Sequence, residues 1–361
     1  MKKVGFLSLA VVTIFVFSSI HVFADCSDET KYKGEIVAAE ELKCEGIEDE
    51  ICIEYQIEIS EGEIISTTPI STAFGYSRYS IGDKVYVSSI CGPDEKLIWG
   101  IEGYSRESAI FWLLGIFVGI VLFVSGRKGA GSLLGLISSF VILYFVMIPL
   151  SVKTGNILLW GLLSVIFVLI LSVYFSHGFN RQSTIALVCT FLGIAIISIL
   201  SLIFISSTKL TGFGNEEMYM LLSQLAGGVN IKQILFLSML ISGIGVLDDV
   251  TVSQIGTIAE LAKANPQMTP KELYKSSMNI GKDHVASMVN TLFIAYAGSS
   301  LSLIMLMNAN GTTGHEVINN EFFAEDIVRA TVSSMGLVLI VPISSYIGSF
   351  LIPKLIQKKK L

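Results

Sequence analysis

The chain of 361 residues is 52% hydrophobic and only 15% charged, with a mean hydropathy of +0.70, where soluble chains carry about 25% charged residues. Its formal net charge of −6 hides an asymmetry: residues 25–107 hold 19 acidic against 7 basic side chains, net −12, while the remainder holds 11 against 17, net +6. Apolar residues gathered in runs of about twenty, the length of a membrane crossing, exclude a cytoplasmic enzyme, a nucleic-acid binder and a disordered chain.

Residues 1–24 read as a signal peptide. Lys2 and Lys3 precede an apolar stretch from Val4 to Val22, and Val22-Phe23-Ala24 offers a small-residue cleavage pattern before Asp25. Asp25 sits where a lipobox needs a small residue, so Cys26 is not read as a lipid anchor. Cleaved or retained as an anchor, the segment sends residue 25 onward across the membrane.

Residues 25–107 read as an extracytoplasmic β domain. Ile51 to Ile59 alternates apolar and polar residues with period two, Glu61-Gly62-Glu63 follows as a turn, and Ile81 to Ser88 is a second turn-then-strand unit. About five short strands point to a small, OB-like barrel. The net charge of −12 repels phosphates, which argues against nucleic acid. Cys26, Cys44, Cys52 and Cys91 fall here, in an oxidising compartment if the topology holds. Four cysteines allow three pairings, of which Cys44–Cys52 with Cys26–Cys91 is favoured, because the first two flank a turn. No histidine lies in the segment, so a metal site is the weaker reading.

Residues 108–353 read as a polytopic helical bundle, mostly α, of about seven spans: 109–126, 129–150, 156–176, 183–206, 232–262, 283–308 and 326–352. Residues 354–361 form a basic tail. Arg127, Lys128, Arg181, Lys263, Lys271, Lys275, Lys282 and the Lys354–Lys360 group collect in loops on one side. By the positive-inside rule the ectodomain is outside and the C-terminus cytoplasmic, which requires an odd number of spans. Met218–Gly227 is too short to cross.

The first four spans are nearly pure hydrocarbon, whereas polar residues enter the last three. Ser238, Ser242, Gly245, Asp249, Ser253, Gly256 and Glu260 recur at steps of three and four on one helix face. Each carboxylate at a helix centre costs ~2.5–3.5 kcal/mol on insertion scales, so Asp248 and Asp249 need compensation. The next span repeats the stripe with Asp283, Ser287, Thr291 and Ser302, beside Asn290. The last opens with Glu325-Asp326 and carries Arg329, with Glu325 and Arg329 at i, i+4. Three such stripes are expected to face one another around a polar pathway. The candidate substrate or ion ligands are Asp248, Asp249, Ser253, Glu260, Asp283, Asn290, Thr291 and Arg329. Tight packing seams are the competing reading. Asp283-His284 reads as a helix N-cap and its neighbour. No catalytic constellation, phosphate loop or paired metal-ligand histidines are present, so neither enzyme activity nor a cofactor or metal is expected.

The strings His177-Gly178-Phe179-Asn180, Gly245 to Thr251 leading to Ala259-Glu260-Leu261, Gly281-Lys282-Asp283-His284 leading to Asn290 to Gly298, and Asn320-Glu321 to Arg329 resemble the YibE/F family of multi-pass bacterial membrane proteins. The resemblance covers about residues 105–352. It implies a cell-membrane protein with a signal, a small exported domain and a helical bundle, adds His177 and Asn180 as candidate cytoplasmic-loop residues, and carries no established substrate. The expected function is a secondary transporter or permease of an unknown small solute or ion. The alternatives are a non-transporting envelope protein whose ectodomain binds a partner and, third, an intramembrane enzyme. The lipid bilayer is the first partner, and the Gly and Ser content permits a homo-oligomer or a second membrane subunit.

Overall fold

The computed structural model describes residues 30–43, 51–59, 62–67, 79–91, 97–214, 216–224 and 230–357. The expected signal peptide, Cys26, Cys44 and the Lys358–Lys360 cluster lie outside them. So do the side chains of Cys52 and Cys91, and with them the expected disulfides. The chain divides into two compact units, Met1–Phe117 and Val118–Leu361.

The first unit is an antiparallel sheet of β1 (Thr30–Lys43), β2 (Ile51–Ile59), β3 (Ile64–Thr67), β4 (Lys84–Cys91) and β5 (Leu97–Tyr104), in the order β3-β2-β1-β4-β5. The period-two pattern explains its core. Ile53, Tyr55, Ile57 and Ile59 are buried with Ile36, Ile65, Val85 and Val87, while Glu58 on the opposite face is exposed. Gly34 must lack a side chain, since a methyl there would lie 2.5 Å from Ile57 Cγ2. Bulges in β1 between Ile36 and Ala38 and in the β4–β5 pairing curl the sheet. The edge strands β3 and β5 are linked by Thr67 Oγ1 donating to the Trp99 carbonyl at 2.6 Å. The sheet is therefore curled and antiparallel, with no ladder between its edges among the described residues. Glu107 accepts hydrogen bonds from Lys33 on β1, at 2.6 Å, and from the Tyr86 hydroxyl on β4. The bond to Glu107 holds the Tyr86 phenol above its ordinary pKa.

The second unit is helical. Helix α1 (Glu107–Val141) runs through a π-helical turn (Ile142–Met147) into α2 (Ile148–Thr154), and Pro149, which has no N–H to give the ladder, follows the π turn. Next come α3 (Ile157–His177), α4 (Arg181–Ser207), α5 (Glu216–Gln224), α6 (Ile231–Ala264), α7 (Pro270–Ser299), α8 (Leu301–Ala309), α9 (Gly314–Asn319) and α10 (Glu321–Gln357). Among the described residues five helices are long and apolar enough to cross a membrane: Glu107–Thr154, α3, α4, α6 and Glu321–Ile356. There are six if α7 and α8, bent by 58°, form one span. Seven spans were expected. The difference lies at the first two, which fall in one tract of 48 residues that is broken at Gly126, where φ 54° and ψ −127° leave the helical region. Side chains such as Phe123, Val124, Phe140 and Phe145 point outward, an apolar surface that suits lipid and not water.

Helix α6 lies at the centre, with Met239, Leu240, Leu247, Ile255 and Ile258 fully buried. Small residues allow close packing: methyls at Gly243 and Gly336 would lie 2.6 and 2.4 Å from Ile197 atoms of α4, and one at Gly131 would lie 2.1 Å from the Phe175 carbonyl oxygen of α3. Two polar seams run through this core. Thr190 and Thr251 share a hydroxyl–hydroxyl bond of 2.6 Å. Gln254 donates to the Ser277 carbonyl at 2.8 Å and to Ser345 Oγ at 2.7 Å, tying α6 to α7 and α10.

The expected start of the sixth span at Asp283 needs correction. Helix α7 begins at Pro270, because Thr269 and Glu272 form a capping box: Thr269 Oγ1 accepts from the Glu272 N–H at 3.3 Å and Glu272 Oε2 accepts from the Thr269 N–H at 2.8 Å. Asp283 therefore sits inside a helix and caps nothing.

Candidate functional site

A cavity of about 620 Å³ opens between α1, α3 and α6. Its polar wall has a simple origin in spacing. Ser132 and Ser139 are seven residues, two helical turns, apart on α1, Ser172 and Ser176 are one turn apart, Asp248 and Asp249 come from mid-α6, and Ser125 comes from before the break at Gly126. Lys128 and His177 border the same cavity, and the rest of the lining is aliphatic. Gly135, packed so that a methyl would lie 3.3 Å from Ser172 Cα, lets the α1 and α3 serine rows come together.

The two acids are not equivalent. Asp248 is half-buried, and Ser172 Oγ donates to its Oδ2 at 2.8 Å. Its Oδ1 is buried without a partner, a state that costs about 1–3 kcal/mol for a neutral group and more for a charged one. Asp249 is exposed, and both His177 of α3 and His284 of α7 lie within electrostatic range of it. No group of three or more His, Cys, Asp or Glu suited to a metal ion occurs among the described residues.

The other expected ligands do not join this cavity. On α6 alone, with a rise of 1.5 Å per residue, positions twelve apart lie about 18 Å apart along its axis. Glu260 lies at the far end, exposed and paired with Lys263 at 2.6 Å. It borders a smaller cavity of about 470 Å³ with Lys128, His177 and Asn180. Ser253 is exposed and lines neither cavity. Asp283, Asn290 and Thr291 are exposed on α7, and the Thr291 hydroxyl bonds only back to the Ser287 carbonyl at 2.9 Å. Asn180 is the N-cap of α4, accepting from the Ser183 N–H at 2.9 Å.

Arg329 belongs to a separate cluster near the start of α6. It donates to Asp326 at 2.8 Å, lies 4.0 Å from the Glu325 carboxylate, and reaches Ser238 Oγ at 3.4 Å. Ser300, at the α7–α8 bend, donates to Asp326 Oδ2 at 2.8 Å. Glu325 and Glu321 hold the segment 211–214: Gly214 N–H reaches Glu325 at 3.3 Å, and Thr211 and Gly212 N–H groups reach Glu321 at 2.5 and 2.9 Å.

Sequence reasoning missed Ser172, Lys128 and the α1 serines as parts of one wall. The seven-residue serine period was readable, but the meeting of Ser172 with Asp248, 76 positions away, was not. The α6–α7 stripes do touch in part, through Ser242 with the Tyr296 hydroxyl.

No curated protein and no solved structure matches this chain. The family model described as YibE/F-like protein matches residues 113–354, which hold every helix wall of the cavity, and the chain belongs to that family.

Proposed function

We propose that this chain is a secondary transporter or permease whose solute path runs through the cavity at Asp248 and Asp249. The observation that carries the reading is the unpartnered Asp248 Oδ1 beside a serine-lined space of about 620 Å³. A carboxylate placed among apolar helices marks a substrate or ion path more often than a packing seam. The seams of this bundle look different, since Thr190–Thr251 and Gln254 are paired.

The membrane topology follows on the same reading. A straight helix of 48 residues would be about 72 Å long, over twice the ~30 Å of hydrocarbon. A methyl at Gly129 would lie 2.6 Å from the Val121 carbonyl oxygen, although residues eight apart in a straight helix lie about 12 Å apart. The chain thus turns back at Gly126 and crosses twice. Counting α7 with α8 as one bent crossing, seven result. An odd number places the sheet outside and the lysine-rich C-terminus in the cytoplasm. The strand order and the Thr67–Trp99 link favour an OB-like, partly open barrel for the exported domain.

The test is uptake of a mixed panel of labelled metabolites by proteoliposomes. Wild type should accumulate a subset over empty vesicles, and Asp248→Asn should lose that uptake by at least about tenfold, the effect of ~1.4 kcal/mol. Equal uptake by wild type and empty vesicles would move the function to the exported domain and a partner.

A further inference from the structure

The cavity holds charges of both signs that do not meet. Lys128 borders it together with Asp248 and Asp249, yet among the described residues the ion pairs within 4.0 Å involve neither aspartate and not Lys128. The wall therefore presents two aspartates on α6 and a lysine near Gly126, with His177 beside them. Val165, Val168, Ile241 and Ile244 line the same cavity. Unlike charges that share a cavity without pairing leave both ends open to a dipolar ligand. Each end would gain a charge-assisted hydrogen bond, stronger than one between neutral groups.

Other ligand classes fit less well. A bare metal ion lacks a set of three ligating residues, and the volume lies within the roughly 300–1,000 Å³ range of organic-ligand pockets. A quaternary ammonium finds no aromatic side chain in the lining. An anion alone would face two carboxylates, and a simple amine would leave Lys128 opposing it.

We infer that the cavity takes a small zwitterion of the amino-acid type, its ammonium on Asp248 and Asp249 and its carboxylate on Lys128. The inference rests on the transport reading above and names the substrate class of that site. The aliphatic wall favours an apolar side chain, so leucine is the natural probe.

The experiment is equilibrium binding of labelled leucine to the full-length protein in lipid nanodiscs. Competitors are 3-methylbutylamine, which is leucine without its carboxylate, and 4-methylpentanoate, which is leucine without its ammonium. Each competitor should bind at least about tenfold more weakly than leucine, the loss of one charged contact. Lys128→Gln should weaken leucine by a similar factor and leave the amine unchanged or tighter. Asp248→Asn and Asp249→Asn should abolish both. Absence of leucine binding, equal binding of the amine, or no effect of Lys128→Gln overturns the zwitterion. A second variant separates this failure from failure of the transport reading. If Ser139→Cys reacts with a water-soluble maleimide and Asp248→Asn still loses metabolite uptake, only the ligand class falls. If Ser139→Cys stays unreactive and uptake survives Asp248→Asn, the transport reading falls with it.

Discussion

Two polar clusters lie along α6, and they differ in what they leave undone. Around Arg329 the charges are closed on one another: Asp326 takes both Arg329 and Ser300, while Glu321 and Glu325 are occupied by N–H groups of 211–214. Around Asp248 one oxygen has Ser172, the other has nothing, and a cavity lies alongside. The first arrangement holds α10, α6 and the 211–214 segment together, although Arg329 Nε is itself left without a partner. The second joins α3 to α6 by a single hydrogen bond and lies beside a cavity. Helical periodicity alone puts both in one stripe. The cavity beside Asp248, which Arg329 does not line, separates a site from a brace.

The largest effect should come from breaking the brace. Arg329→Met leaves Glu325, only 6% exposed, and Asp326 without their cation. Removing one partner of such a buried pair costs ~3–5 kcal/mol, read as a lowered midpoint in thermal unfolding. A smaller loss is expected where the cavity wall is packed. Gly131→Ala drives a methyl into the Phe175 carbonyl, so α1 and α3 must part, at about 1–3 kcal/mol for overpacking, with a parallel loss of uptake. Asn180→Ala removes the α4 cap for about 1 kcal/mol and should spare uptake, since Asn180 does not line the cavity at Asp248. A retained midpoint there would contradict the cap.

The smallest effect is a pH response outside the membrane segments. Hydrogen bonds from the Thr313 N–H and hydroxyl hold the Glu316 carboxyl below its ordinary range. A depressed carboxylate contributes stability above its unfolded pKa and loses it as pH falls through the folded value. The first turn of α9 should therefore exchange amide hydrogens faster below the usual carboxylate range, whereas Glu316→Gln should show no such pH step.

Much of this was readable in the residues. The alternation in 51–59, the apolar runs of α3 and α4, and the adjacent acids of α6 have local causes, and each led to the right element. The start of α7 was equally local: Thr269-Pro270 with Glu272 is a capping box, and Asp283-His284 drew the reading away from it. The break at Gly126 was local as well: Arg127 and Lys128 interrupt the apolar tract there, and the backbone of Gly126 leaves the helical region. The division of the α6 stripe was not readable at all. A stripe states that a face is polar along a helix of 34 residues, about 51 Å, but partners from other helices decide whether it is one place or several. Ser172 and Ser238 settle that, and both are commonplace serines in apolar surroundings.

The central claim is that Asp248 serves a ligand and not the fold. The direct measurement is Asp248→Asn, with thermal unfolding and metabolite uptake recorded on the same preparation. Replacing a half-buried, half-satisfied carboxyl with an isosteric amide should leave the midpoint unchanged or raise it, while uptake falls by at least about tenfold. A fall in midpoint by the several kcal/mol expected of a broken brace, or uptake equal to wild type in a stable protein, would contradict the account.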